Sequence, residues 1–351
     1  MVPGRANFRF SGGAELTYSD RYYDDKSVVQ YSPGQLTRTT LILGLEYGLT
    51  RRVSLFAHLP YSFLNYQITD AGSLHRPDQL KTDPSANGRR YNKNGLADSL
   101  IGAAWEVLQV KGSHPGSYAL IARVLVPSGD SRSSYHQPFT LHLGQGFMGL
   151  EGAAGGRQII LPKLGFDWEA GVRVYLPGES DAVVSVADVT HIPQRDLGVG
   201  PISIICGTDS AGNQLVCGNA RVRPGREWFA QAGIEVEPQD FWTLGLGIRY
   251  FAKAETKYHD KIVYQVTRID PAGGQTYADV TQANPLATIK NSDVEQLTVS
   301  PSFEYRLSRS LEALHTLRVM AELPAWGRNT DTLFPDYFNA FTLGIEWRAE
   351  Y

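Results

Sequence analysis

Phe341-Thr342-Leu343-Gly344-Ile345-Glu346-Trp347-Arg348-Ala349-Glu350-Tyr351 alternates without interruption, apolar at odd positions and small or polar at even ones. Successive side chains of a β-strand point to opposite faces, so the stretch predicts a strand with one greasy and one polar face. The same split recurs in Leu164-Gly-Phe-Asp-Trp-Glu-Ala-Gly-Val-Arg-Val174 and in Trp242-Thr-Leu-Gly-Leu-Gly-Ile-Arg-Tyr250. A soluble sandwich would bury the apolar face. A transmembrane β-barrel turns it to lipid and keeps charges in its lumen.

Working outward, a small–apolar–glutamate pattern repeats at Glu46, Glu106, Glu151, Glu235, Glu304 and Glu346. A base inside an alternating run answers it at His58, Arg123, Arg173, Arg249 and Arg318. In each proposed hairpin the acid descends to the turn and the base ascends from it, which predicts the two at similar depth. Two readings follow: a charged belt that constricts the lumen and selects solutes, or a salt-bridge ladder filling a narrow barrel. Both need opposite charges, because crowded like charges repel and shift their pKa values.

At 351 residues the chain fits two soluble domains or one large barrel, and the pattern favours a single barrel domain over 1–351. No apolar stretch approaches the length of a membrane-spanning helix, which excludes a helical membrane protein. Thirty-five glycines, eighteen tyrosines and six tryptophans suit a lumen lined by small residues and aromatic girdles at both interfaces. A net charge of -3 gives no case for nucleic acid. Cys206 and Cys217 close a loop-like stretch rich in Gly, Asn and Asp, which suggests a disulfide formed in an oxidising compartment. Such a closure stabilises by about 3 kcal/mol. Met1-Val2-Pro3-Gly4 opens the sequence without a charged or apolar leader. An outer-membrane protein needs a signal peptide, so the reading expects one to have been removed.

Period-two runs place twelve antiparallel strands near 6–20, 35–48, 53–66, 94–107, 117–127, 138–152, 161–176, 226–237, 241–254, 293–307, 314–326 and 338–351. Gly144-Gln145-Gly146 is a candidate bulge, because His142 and Glu151 have opposite parity. The connections alternate long and short. Short ones fall near 49–52, 108–116, 153–160, 238–240 and 308–313, and long ones at 21–34, 67–93, 128–137, 177–225, 255–292 and 327–337. Short periplasmic turns and long extracellular loops are the asymmetry of outer-membrane barrels, and they put both termini in the periplasm. Tyr351 also supplies the terminal aromatic residue common in such proteins. Pro60, Pro127, Pro177 and Pro324 fall at similar points of outward-running strands. Proline cannot donate to a ladder, so each marks either a strand end or a weak point that lets greasy solutes leave sideways.

Gly48-Leu-Thr-Arg-Arg-Val-Ser-Leu-Phe-Ala-His-Leu-Pro60, Gly95-Leu-Ala-Asp98 and Val126-Pro-Ser-Gly-Asp130 resemble the outer-membrane family of meta-pathway phenol-degradation transporters. The likeness covers most of the first half. It implies outer-membrane passage of small, often aromatic, compounds and no catalytic residues; the cysteine loop is not part of it.

The resulting expectation is a channel in the bacterial outer membrane for passive uptake of small hydrophobic or aromatic solutes. Membrane lipid and solute are its partners; no cofactor or metal is implied. One alternative is a barrel that sheathes or anchors a protein such as a cytochrome or filament. Another is a lipid hydrolase, since Ser131, Ser133, Ser134, His136 and His142 gather near one outer loop and Gly129-Asp130-Ser131 opens like a hydrolase motif. A nucleophile needs an oriented base and oxyanion donors, and no residue set supplies all three at recognisable spacing.

Overall fold

The computed structural model describes residues 7–23, 26–69, 88, 90–129, 143, 146–185, 190–192, 204–208, 214–258, 262–269, 275–283, 293–307, 314–328 and 340–351. The first strands are β1 (Phe8–Tyr23), β2 (Val29–Gly48), β3 (Val53–Ile68), β4 (Arg90–Leu96) and β5 (Ser99–Val110). β6 (Gly116–Val126), β7 (Gly149–Leu161) and β8 (Leu164–Tyr175) follow. Next come β9 (Gly178–Ser185), β10 (Thr190–Ile192), β11 (Ile204–Thr208) and β12 (Gln214–Arg223), then β13 (Glu227–Gln239) and β14 (Trp242–Lys253). The last are β15 (Lys257–Tyr258), β16 (Ile262–Ile269), β17 (Gln275–Ala283), β18 (Val294–Arg306), β19 (Leu314–Arg328) and β20 (Phe341–Glu350).

Antiparallel neighbours run from β1 through β3, β5 to β8, β13, β14 and β18 to β20, and β20 pairs back onto β1. With β4 and β5 as two halves of one position, the wall is a closed barrel of twelve strands. Closure pairs the wall's strands on both sides, β4 alone having one partner among the described residues, which meets the demand of a hydrocarbon environment for satisfied backbone groups. Short turns gather at one end, together with both chain ends: Tyr351 N donates to Phe8 O at 2.9 Å.

The apolar parity faces outward. Leu43, Ile101, Trp105, Leu246 and Ile345 are all exposed on the outer surface. At the short-turn end the same face carries aromatic pairs, with ring centroids 4.8 Å apart for Phe8–Tyr47 and 5.8 Å for Phe241–Tyr305, as an interfacial girdle requires. Leu43, 64 % exposed in the middle of the apolar row of β2, tests this face. Leu43→Arg is expected to cost about 2–4 kcal/mol in urea unfolding from lipid vesicles. Ser300→Arg, on the lumen face, should cost less. Equal costs would mean that water bathes both faces.

Three expectations are corrected. The strand expected at 138–152 is Gly149–Leu161, and the expected turn at 153–160 lies inside it. The chain turns instead at Pro162 and Lys163, where Lys163 takes a left-handed φ of 70°. Gly156 is required within this strand, not at a turn: a Cβ there would stand 2.5 Å from the Tyr118 ring. The connections at 177–225 and 255–292 also contain strands, because β9, β12 and β15 pair as a sheet beyond β8, β13 and β14. The Gly144–Gln145 part of the expected bulge, and Ser131, Ser133, Ser134, His136 and His142, lie outside the described residues.

The prolines divide. Pro127 and Pro177 lie just past the ends of β6 and β8, so at those two the strand simply stops. Pro60 and Pro324 lie within β3 and β19, opposite Ile42 and Thr298. Pro60 O accepts from Ala97 N at 3.0 Å. The return bond from a residue 60 amide is missing, and Ala97 O takes the Ser128 hydroxyl at 2.7 Å instead. Beside this point the fourth wall strand slips by one residue between β4 and β5. The side chains of Cys206 and Cys217 lie outside the described residues, and the backbone sets Cys217 opposite Ile204, not Cys206. The bridge inferred from loop closure is therefore not supported.

Candidate functional site

Correcting the span of β7 moves Glu151 away from the short-turn end and into a row of alternating charge. Arg123, Glu151, Arg173, Glu227 and Lys253 are successive cross-strand partners on β6, β7, β8, β13 and β14. Directly opposite residues lie close enough for their side chains to meet. Arg173 Nε and Nη2 donate to Glu151 Oε2 at 2.9 and 2.6 Å, and its Nη1 donates to Glu227 Oε2 at 3.0 Å. Tyr175 OH donates to Glu227 Oε1 at 3.0 Å. Arg123 Nη1 donates to Glu151 and, at 2.6 Å, to Glu169 Oε1. The Glu151 and Glu227 side chains are each 1 % exposed, so water does not compete for their oxygens.

The other expected residues disperse. Glu46 sits opposite Phe56 rather than His58, and it is held by Arg9 at 2.6 Å and Ser54 at 2.8 Å. His58 faces the lumen opposite Gly44 and Leu100. Glu106 lies opposite Ala119 beside a register shift, while Arg123 faces Gly102 across the same hairpin. Glu235 pairs with Arg157 at 2.8 Å, and Arg249 lies four residues further along that hairpin, opposite Gln231. Glu304, Arg318 and Glu346 do stand abreast on β18, β19 and β20. Glu346 closes onto Arg348 at 2.6 Å, and Arg318 donates to Ser302 at 3.4 Å. Among the described residues no cluster of three or more His, Cys, Asp or Glu could hold a metal.

The lumen holds two main cavities. The one toward the short turns is about 620 Å³ and includes Phe56, Ile121 and Phe229 beside its charges. The one toward the long connections is about 460 Å³ and includes Leu36, Leu125 and Phe251. Arg173 and Arg249 line both, so the guanidinium groups mark the division. Leu143, 2 % exposed, reaches into the outer cavity. Arg38 Nη2 holds its carbonyl at 3.2 Å, and a Cβ on Gly95 of β4 would come within 2.9 Å of Leu143 Cδ1. Sequence parity could have found Glu169, Tyr175 and Glu227; nothing in the sequence marks Leu143.

No protein-family model and no curated protein matches the chain. Among solved structures it is similar to the COG4313 outer membrane channel from Pseudomonas putida F1, with 14 % identity over 100 % of this chain and 97 % of that one and a TM-score of 0.59. It matches the P. putida toluene transporter TodX at 9 % identity, 98 % and 89 % coverage and a TM-score of 0.41. The translocator domain of the autotransporter NalP from Neisseria meningitidis matches at 8 % identity, 99 % and 88 % coverage and a TM-score of 0.40. At such identities the likeness to the COG4313 channel is one of fold.

Proposed function

We propose that the chain is an outer-membrane channel that lets small apolar or aromatic solutes cross passively, with short turns in the periplasm and long connections outside, and that it performs no catalysis. Apolar side chains turned into the lumen carry this reading. A lumen that passed only ions would gain nothing from Phe56, Phe229, Leu36 and Phe251. Cavities of about 460 and 620 Å³ lie within the range of pockets that hold small organic ligands. Arg173 and Arg249 line both cavities and set charge between them. In the outer half, β4 pairs with β3 alone among the described residues, and this reading takes the side of β4 away from β3 as the way out for apolar solutes. The fold shared with the COG4313 channel agrees.

Proteoliposomes test this. Benzyl alcohol should enter vesicles carrying the protein faster than protein-free vesicles, without ATP or an ion gradient, while single-channel current stays small. Entry no faster than through bare lipid would defeat the proposal, and so would entry that needs an energy source.

A further inference from the structure

Among the described residues, one arginine of the inner cavity holds no carboxylate. Its walls carry five arginines and four glutamates. Arg9, Arg123, Arg173 and Arg348 each lie within 3.0 Å of at least one carboxylate oxygen. Arg249 makes no ion pair or hydrogen bond with the described residues, although it lines both main cavities and a third of about 260 Å³.

Register explains why. Arg318 has Glu304 and Glu346 directly abreast. Arg249 has Gln231 on one side and Thr298 on the other, both neutral. Thr298 Oγ1 is buried, lines the outer cavity and has no hydrogen-bond partner. Unsatisfied buried hydroxyls are uncommon and ask for a partner. Glu15, Asp98, Glu227 and Glu322 share the outer cavity with Arg249, and none of them forms an ion pair with it. One step outward along the same strands, Phe229 and Phe251 are directly opposite each other and line the two cavities.

We propose that Arg249, Gln231 and Thr298 form a binding site for the carboxylate of a small aromatic acid whose ring lies against Phe229 and Phe251. The guanidinium fork matches a carboxylate with two parallel charge-assisted bonds. The amide of Gln231 and the hydroxyl of Thr298 supply further donors. The two phenyl rings supply the apolar surface that a simple inorganic anion cannot use. This rests on the uptake reading above and narrows its solute class.

The test is calorimetric titration of the purified full chain in detergent with benzoate, benzyl alcohol and acetate, alongside vesicle uptake. Benzoate should bind saturably and about tenfold or more tighter than either its neutral analogue or acetate. Arg249→Gln should reduce benzoate affinity by about tenfold or more, and Arg249→Lys, which keeps the charge but not the fork, by less. Heat-modifiable gel migration reports whether each barrel is folded; if the Gln variant fails to fold, the Lys variant and Phe251→Leu carry the comparison. Affinity that is equal in wild type and variant, or no saturable benzoate binding at all, overturns the site. Benzoate binding without benzyl alcohol uptake keeps the site and defeats the channel. Uptake without benzoate binding does the reverse.

Discussion

Glu151→Leu is expected to be the most damaging single substitution in the barrel, costing about 3–5 kcal/mol in urea unfolding from vesicles. Glu151 is the hub of the charge row, accepting from Arg123 and through two atoms from Arg173. Its side chain is 1 % exposed, and those of the two arginines are 19 % and 22 % exposed. Without Glu151, two largely buried guanidinium groups keep only Glu169 and Glu227 as carboxylate partners. An uncompensated buried charge costs more than the pair was worth, because much of its desolvation remains. Glu235→Leu supplies the contrast. Its partner Arg157 is 36 % exposed, so solvent takes up the charge and the loss should stay within about 1 kcal/mol. A Glu151→Leu cost as small as that of Glu235→Leu would show that water penetrates the row, and would remove it as the division between the two cavities.

The fold was legible in the sequence because alternation and loop asymmetry are both properties of the backbone. Tyr351, Trp347 and Ile345 announce a lipid face whatever packs beside them. The charged residues were legible as a set and much less so as pairs. Glu304 and Arg318 stand directly opposite because the wall strands beside their turn run without a shift between them. Glu106 misses Arg123 because the register slips between Glu106 and Leu108, and a one-residue bulge leaves no mark in a period-two pattern. Gly152-Ala-Ala-Gly-Gly156 reads as a turn in a soluble protein. Here the Tyr118 ring covers Gly156 within the strand, so the turn lies further on and Glu151 changes partners. Leu143 was beyond reach: its place in the outer cavity is encoded by neither propensity nor periodicity.

Leu143 controls the second large effect expected, a change in transport rather than in stability. It sits against Gly95 of β4, a strand that pairs with β3 alone among the described residues. Leu125 and Ala97 line the same part of the outer cavity. If apolar solutes leave sideways past the edge of β4, Leu143 is the side chain they must pass. Leu143→Ala should then raise benzyl alcohol uptake severalfold, and Leu143→Trp should lower it by a similar factor. Ion current runs along the barrel axis past Arg173 and Arg249, which line both cavities, so the three proteins should conduct alike. The loss of a buried leucine costs about 2–5 kcal/mol in a core, so folded yield must be checked by gel migration before the rates are compared. Uptake and conductance that rise and fall together across the series would place Leu143 on the axial path. In that event the far side of β4 has no part in transport.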